Sequence, residues 1–158
     1  MRTETAMTDS IDTVASYFTP RYGNYPFDCS GARVRAQCRH LATVVTVSGA
    51  IDATNVDRIS EHCKRFILPD KPIVLDLSGV DCLAAQGIRF LYRIDDNCRA
   101  AGLQWALVIS QAVARMLRIT DDEANFPAVG SVHEALHYFA DVTSARRRLL
   151  LPLLSKTA

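Results

Sequence analysis

The sequence predicts an α/β domain built on a small, mixed and mostly parallel sheet, with an antiparallel strand at one edge and about four helices. Short apolar runs, typical of buried parallel strands, alternate with segments in which apolar residues recur every three or four positions, as in an amphipathic helix. They follow a segment of strict polar–apolar alternation, which is typical of a half-buried antiparallel strand.

Length and composition favour one domain with an extension at each end. The chain has 158 residues, of which 49% are hydrophobic, and we place the domain at residues 31–140. Residues 1–30 then form an N-terminal extension, and residues 141–158 form a basic, leucine-rich tail. The net charge of +1 makes nucleic acid an unexpected partner, because phosphate binding usually needs a basic excess. The chain has neither a long apolar window nor a secretory signal, so we expect no membrane span and a cytoplasmic location.

The opening strands are predicted from alternation and from β-branched residues. Residues 33–39 place arginines and glutamine on one face and small apolar side chains on the other, so we expect this strand at the sheet edge. Residues 41–48, rich in valine and threonine, form the second strand, which we expect Gly49 to end.

A helix and a buried parallel strand follow. Asp52 or Thr54 can cap the helix, since both are preferred N-cap residues. The apolar stripe of this helix runs at helical spacing from Val56 to Ile67, and the apolar run of residues 73–77 then predicts a parallel strand.

The second half repeats this alternation. A helix is predicted over residues 86–101, stopped by Gly102, and the next buried strand over residues 105–109. Ser110 can cap a short helix, and residues 126–129 predict a weak edge strand. The last helix begins at a capping box, in which Ser131 is the cap and Glu134 is expected to bond the backbone of Ser131.

Two patterns suggest metal or redox chemistry only weakly. His133-Glu134-Ala135-Leu136-His137 spells H-E-x-x-H, the helical pattern of zinc proteases, but Glu134 has a capping role and no acidic residue or histidine follows Asp141. We therefore expect no metal and no cofactor.

The five cysteines show neither a C-x-x-C pair nor zinc spacing, so most are expected to be buried, reduced thiols. Cys82, in a loop, and Cys29, in the extension, are the candidates for redox reactivity, because a reactive thiol needs exposure.

In a parallel sheet, the loops that leave the carboxyl ends of the strands meet at one edge, where binding sites collect. Here these loops are residues 49–54, 78–86 and 110–111. The middle loop consists largely of small residues and ends at a predicted helix N-terminus, where free amides favour an acidic partner group.

The same region resembles a known family. Residues 74–80 read V-L-D-L-S-G-V, Gly87-Ile88 stands seven residues further on, and G-A-I-D stands upstream at residues 49–52. In this combination the chain resembles the STAS domain family, which includes anti-sigma factor antagonists and the cytoplasmic domains of sulfate transporters. The resemblance covers about residues 33–140 and implies a STAS-like single domain.

One motif of the family is altered. In the antagonists the loop reads D-S-S-G-L, and a partner kinase phosphorylates the first serine. The aspartate corresponds here to Ala84, the two serines to Ala85 and Gln86, and the glycine to Gly87. The resemblance therefore implies a docking surface without the usual phosphorylated serine, while Asp52 matches the family's upstream aspartate.

The implied function is regulatory and non-enzymatic: binding of an anti-sigma factor, such as a kinase-like ATPase, by a monomer or weak dimer. The alternative is a STAS subunit of a transporter-associated or signalling-scaffold assembly. The residues expected to contact the partner are Asp52, Thr54, Ser78, Ala84, Ala85, Gln86, Gly87, Ile88, Arg89 and Tyr92.

Overall fold

The structure, a computed structural model, describes residues 26–157, with side chains as far as Leu151. Within this range one sheet contains six strands in sequential order, accompanied by four α-helices. The strands are β1 (Phe27–Cys29), β2 (Ala32–Cys38), β3 (Thr43–Ile51), β4 (Ile73–Leu83), β5 (Trp105–Ile109) and β6 (Ala128–Val129). The helices are α1 (Val56–Lys64), α2 (Ile88–Ala100), α3 (Gln111–Ile119) and α4 (Val132–Thr157), with 3₁₀ turns at Ala85–Gly87 and Glu123–Asn125.

The predicted fold class is confirmed. Strands β1, β2 and β3 pair antiparallel, and β3, β4, β5 and β6 pair parallel, so the sheet is mixed with an antiparallel edge. The edge strand itself differs from the prediction, because β1 lies outside β2. Sequence analysis missed β1, which has three residues and therefore too little alternation to produce a pattern.

The sheet has an apolar layer on each face. Alternate strand residues such as Val45, Leu75 and Leu107 pack with helices α1, α2 and α3 on one face. Their neighbours in sequence point to the other face and pack under Ala135 and Phe139 of α4. Since strand side chains alternate between faces, strands covered on both sides are apolar throughout, as the sequence indicated.

Strands β3 and β4 are longer than predicted, which corrects the loop assigned to residues 78–86. Gly49 does not end β3, because the strand passes through it with a φ of +91° and continues to Ile51. A Cβ at Gly49 would lie 2.2 Å from the carbonyl oxygen of Gly31, so only glycine fits there. The β3–β4 register shifts twice near this point, as at a β-bulge. Ser78 and Gly79, whose composition suggested a turn, therefore lie within β4.

Two predicted helix ends are confirmed. Ser110 caps α3, since its side chain accepts a hydrogen bond from the amide of Val113 at 3.2 Å. Gly102 ends the turn after α2 with a φ of +69°, and the Leu103 amide donates back to the Cys98 carbonyl at 2.8 Å.

Other helix ends depart from the predictions. Neither Asp52 nor Thr54 caps α1, because Asn55 occupies the cap position and makes no side-chain cap bond. At α4 the Ser131 hydroxyl accepts from the Glu134 amide, as predicted, but the Glu134 carboxylate accepts from the Gly130 amide at 2.8 Å instead of from Ser131.

The helix α4 also runs on through Thr157, so most of the predicted tail is helical. At the start of α2, the expected first turn from Gln86 is instead a 3₁₀ turn, and α2 begins at Ile88.

Candidate functional site

The carboxyl ends of β3 and β4 bring two of the predicted loops together. Ile51 is paired with Leu83, and the Ala84 amide donates to the Ile51 carbonyl at 2.9 Å. The turn over residues 52–55 and the turn over residues 84–89 therefore lie side by side. We call these two segments together the rim.

The acidic part of the rim is ordered by its own hydrogen bonds. A carboxylate oxygen of Asp52 accepts from the Thr54 amide at 2.8 Å and also from the Thr54 hydroxyl. These bonds hold the pKa of Asp52 below its usual value, because they favour the charged carboxylate. Asp52 is thus a negative charge in a fixed position, with Thr54 exposed beside it.

Sequence analysis missed the buried side chain that supports this turn. Asn55 is fully buried, and its amide nitrogen donates to the carbonyls of Ala50 at 2.8 Å, Cys29 at 3.1 Å and Ser30 at 3.2 Å. Its side-chain oxygen accepts from the Asp52 amide at 2.9 Å. One side chain therefore connects the β1–β2 hairpin to the rim.

The second part of the rim presents small side chains on a tight turn. The Gly87 amide donates to the Ala84 carbonyl at 2.8 Å, and Ala85 and Gln86 are exposed at its crest. Gly87 is buried, and a Cβ there would lie 2.3 Å from Cδ1 of Leu83. Ile88 is also buried, with 6% exposure. Both residues therefore shape the turn that exposes Ala85 and Gln86.

Along α2, the predicted contact residues differ in availability. Arg89 is exposed beside the rim. Tyr92 is half-exposed, but its phenol donates to the carboxylate of Asp122 and accepts from Asn125 at 3.0 Å. The bond to Asp122 raises the pKa of Tyr92, because it favours the protonated phenol. Tyr92 thus belongs partly to the connection between α3 and β6.

The structure does not bring Ser78 to the rim. This residue lies in β4 five positions before Leu83, which is about 16 Å along a strand. Its hydroxyl donates to Asp76 at 2.6 Å, and the Ser110 hydroxyl donates to the carbonyl of Val80 at 2.6 Å. Both hydroxyl groups thus serve local structure.

The two redox candidates differ in exposure. Cys82 is exposed on β4, whereas Cys29 is 1% exposed within β1, so its predicted position in an open extension is wrong. Burial raises the pKa of Cys98 to about 12 and also raises the pKa of Cys63. Of these four thiols only Cys82 meets the requirement of exposure.

The H-E-x-x-H residues lie on the exposed start of α4. The Glu134 carboxylate accepts from the Gly130 amide, and His137 lies 3.6 Å from the carboxylate of Asp141. Within residues 26–157 no group of three histidine, cysteine or acidic side chains is placed to hold a metal ion.

The fold agrees with a known protein family. The family model for the STAS domain matches residues 33–135, and the chain belongs to this family. It is similar to Osmosensory protein A of Mycobacterium tuberculosis, with 49% identity over 158 residues that cover 96% of this chain and all of the relative.

Solved structures show the same fold. An anti-sigma factor antagonist from Mycobacterium paratuberculosis superposes with a TM-score of 0.58 at 20% identity, over 69% of this chain and 94% of that one. The murine Solute Carrier 26 family member A9 anion transporter superposes with a TM-score of 0.54 at 20% identity, over 84% of this chain and 24% of the transporter. In the part of this chain that the structure describes, no helix combines the length and apolarity needed to cross a bilayer.

Proposed function

We propose that this chain is a non-enzymatic regulatory module that binds an anti-sigma factor through the rim. The observation that carries the proposal is the exposed crest of Ala85 and Gln86 beside the fixed carboxylate of Asp52. The crest is held by backbone hydrogen bonds and a buried glycine, so it needs little ordering on binding. The anti-sigma factor antagonist fold supports a regulatory role.

The name of the relative, Osmosensory protein A, supports a proposal about the signal to which this chain responds. The two chains are 49% identical along almost the whole length, and we propose that this chain acts in osmotic signalling, with its output through a sigma factor in the cytoplasm. A neighbouring gene for an anti-sigma factor would support this reading. A neighbouring permease gene would favour the alternative, a subunit of a transporter-associated or scaffold assembly.

The rim can be tested with one matched pair of substitutions. Ala85→Glu places a charge at the exposed crest, while Ala100→Glu places the same charge at the exposed far end of α2. The purified chain and both variants are immobilised and offered each purified anti-sigma factor of the source genome. We expect one of these proteins to bind the wild type and Ala100→Glu, and to bind Ala85→Glu at least about 30-fold more weakly, because burying an unpaired charge costs at least about 2 kcal/mol.

Gly87→Glu would be an unsuitable test of the same surface, because a side chain there collides with Leu83 and perturbs the fold. Equal binding of the wild type and Ala85→Glu to a verified partner would refute the rim assignment.

We further propose that binding is not switched by phosphorylation of the crest. Ala85 and Gln86 carry no hydroxyl group, and the hydroxyls of Ser78 and Ser110 are engaged in local hydrogen bonds. Incubation with ATP and the bound anti-sigma factor should leave the domain without stoichiometric phosphate, as measured by intact mass. Stoichiometric phosphate on Thr54, Ser78 or Ser110, located by peptide mapping, would contradict this proposal.

A further inference from the structure

The end of the molecule opposite the rim exposes apolar and basic side chains together. Helix α4 packs on the sheet through Ala135 and Phe139 and then continues past the amino ends of the strands. Every side chain from residue 143 to residue 151 is exposed. Leu149, Leu150 and Leu151 are 75%, 50% and 59% exposed, although leucine is usually buried.

The charge around these leucines has one sign. Arg146, Arg147 and Arg148 precede them directly, and residues 142–158 include no aspartate or glutamate. We call residues 146–151 the basic–leucine segment.

The same end of the domain places the Lys71 ammonium near these arginines. An open cavity of about 400 Å³ lies at the amino ends of β3, β4 and β5, and it is lined by Arg146 and Arg147 together with His40 and Lys71. Asp70 also lines this cavity, so the lining contains an acidic side chain as well as a larger number of basic ones.

The three leucine side chains point in different directions around the helix, which limits the kinds of surface that can cover all of them. Successive helical residues point about 100° apart, so three consecutive leucines span about 200° around the helix. A protein groove covers only one side of a helix, whereas a fluid apolar medium can contact a helix on all sides. Pairing with the same segment of a second copy would bring together only like charges, which disfavours a symmetric dimer through this helix.

We propose that the basic–leucine segment binds an anionic lipid bilayer at its surface. Leu149, Leu150 and Leu151 enter the boundary between headgroups and acyl chains, and the three arginines, which precede the leucines along the helix axis, contact the headgroup phosphates. The apolar insertion supplies a hydrophobic contribution, and the arginines make the binding depend on lipid charge.

This arrangement leaves the rim accessible. The basic–leucine segment and the rim lie beyond opposite ends of β4, whose eleven residues span about 35 Å. A chain held on a membrane by α4 could therefore bind its protein partner at the same time. The lipid proposal does not depend on the identity of that partner.

The test is flotation of the purified full chain with lipid vesicles. One set of vesicles contains phosphatidylcholine alone, and the other contains phosphatidylcholine with an equal amount of phosphatidylglycerol. We expect binding to the anionic vesicles only, weakened by added salt. Replacing the three arginines by glutamine should weaken it about 100-fold, at roughly fivefold for each cation near the surface. Replacing the three leucines by glutamine should also abolish flotation at the same salt concentration, because the apolar insertion is lost.

A control variant loses the same number of positive charges at a different place on the surface. It shows whether flotation depends on the position of the arginines or only on the net charge of the chain. Arg33 and Arg35 are exposed on β2 and Arg115 is exposed on α3, and none of them lines the cavity beside the basic–leucine segment. Their triple replacement by glutamine removes the same three charges. This control should float as the wild type does. All variants should keep the wild-type melting temperature, since the replaced side chains are exposed.

Four results would overturn the proposal. The first is no flotation of the wild type with anionic vesicles. The second is equal weakening by the control variant, and the third is equal binding to both kinds of vesicle. The fourth is a dimer in sedimentation equilibrium that the leucine replacement dissociates while no vesicle binding occurs, which would assign the segment to a second copy of the chain.

Discussion

At the scale of single residues, exposure separates the cysteines more clearly than their sequence positions do. Cys82 is exposed on β4, while Cys29, Cys63 and Cys98 are no more than 1% exposed. The thiolate is the reactive form, and burial raises the pKa of Cys63 and Cys98, so these two thiols remain protonated near neutral pH.

We therefore expect a maleimide reagent to modify Cys82 of the native protein faster than Cys29, Cys63 or Cys98. Peptide mapping after brief labelling measures this order. Cys82→Ser should remove the fast modification of that peptide, and unfolding in denaturant should make all five thiols reactive. Labelling of Cys29 at the rate of Cys82 would contradict the burial of β1.

At the scale of secondary-structure elements, Asn55 joins parts of the chain that are distant in sequence. Its side chain bonds the carbonyls of Cys29 and Ser30 in the hairpin and that of Ala50 at the end of β3. Buried backbone carbonyls that lose their donors cost about 1–3 kcal/mol each.

Asn55→Leu keeps the approximate size of the side chain and removes all of these bonds. We expect it to lower the free energy of unfolding by about 3 kcal/mol, measured by urea denaturation. Thr54→Ala, at the exposed neighbouring position, is the matched control and should lower it by less than about 1 kcal/mol. A loss below that value for Asn55→Leu would show that the hairpin is held in place by other contacts.

The elements that were predicted correctly are those whose signal is local. The alternation over residues 33–39, the stop at Gly102 and the cap at Ser110 each depend on residues adjacent in sequence. The last residues of β3 and β4, which lie beyond the predicted strand ends, are held by pairing between strands more than 25 residues apart. Gly49 is required within β3 because the backbone of Gly31 approaches it closely. Such contacts leave no periodic pattern, so the sequence suggested a turn and a loop instead.

At the scale of the whole molecule, sequence analysis predicted that two segments lie close together, but not how the residues within them pack. Adjacent parallel strands end at one edge, so the proximity of Asp52 to Ala84–Gln86 followed from topology. The burial of Gly87 and Ile88, and the position of Ser78 within β4, depend on packing and on the true end of the strand. The resulting molecule has a rim of mostly small residues with the carboxylate of Asp52 at one end, and the basic–leucine segment at the other.

Hydrogen–deuterium exchange of the chain, alone and with a bound anti-sigma factor, tests the central claim about the rim most directly. Exchange is measured peptide by peptide at a saturating partner concentration, with the Ala85→Glu variant as control. We expect slower exchange in residues 52–55 and 84–89 of the wild type, no change in residues 143–157, and much weaker protection of the rim in the variant at the same partner concentration. Protection confined to α4 or to the β1–β2 hairpin, with the rim unaffected, would contradict the account.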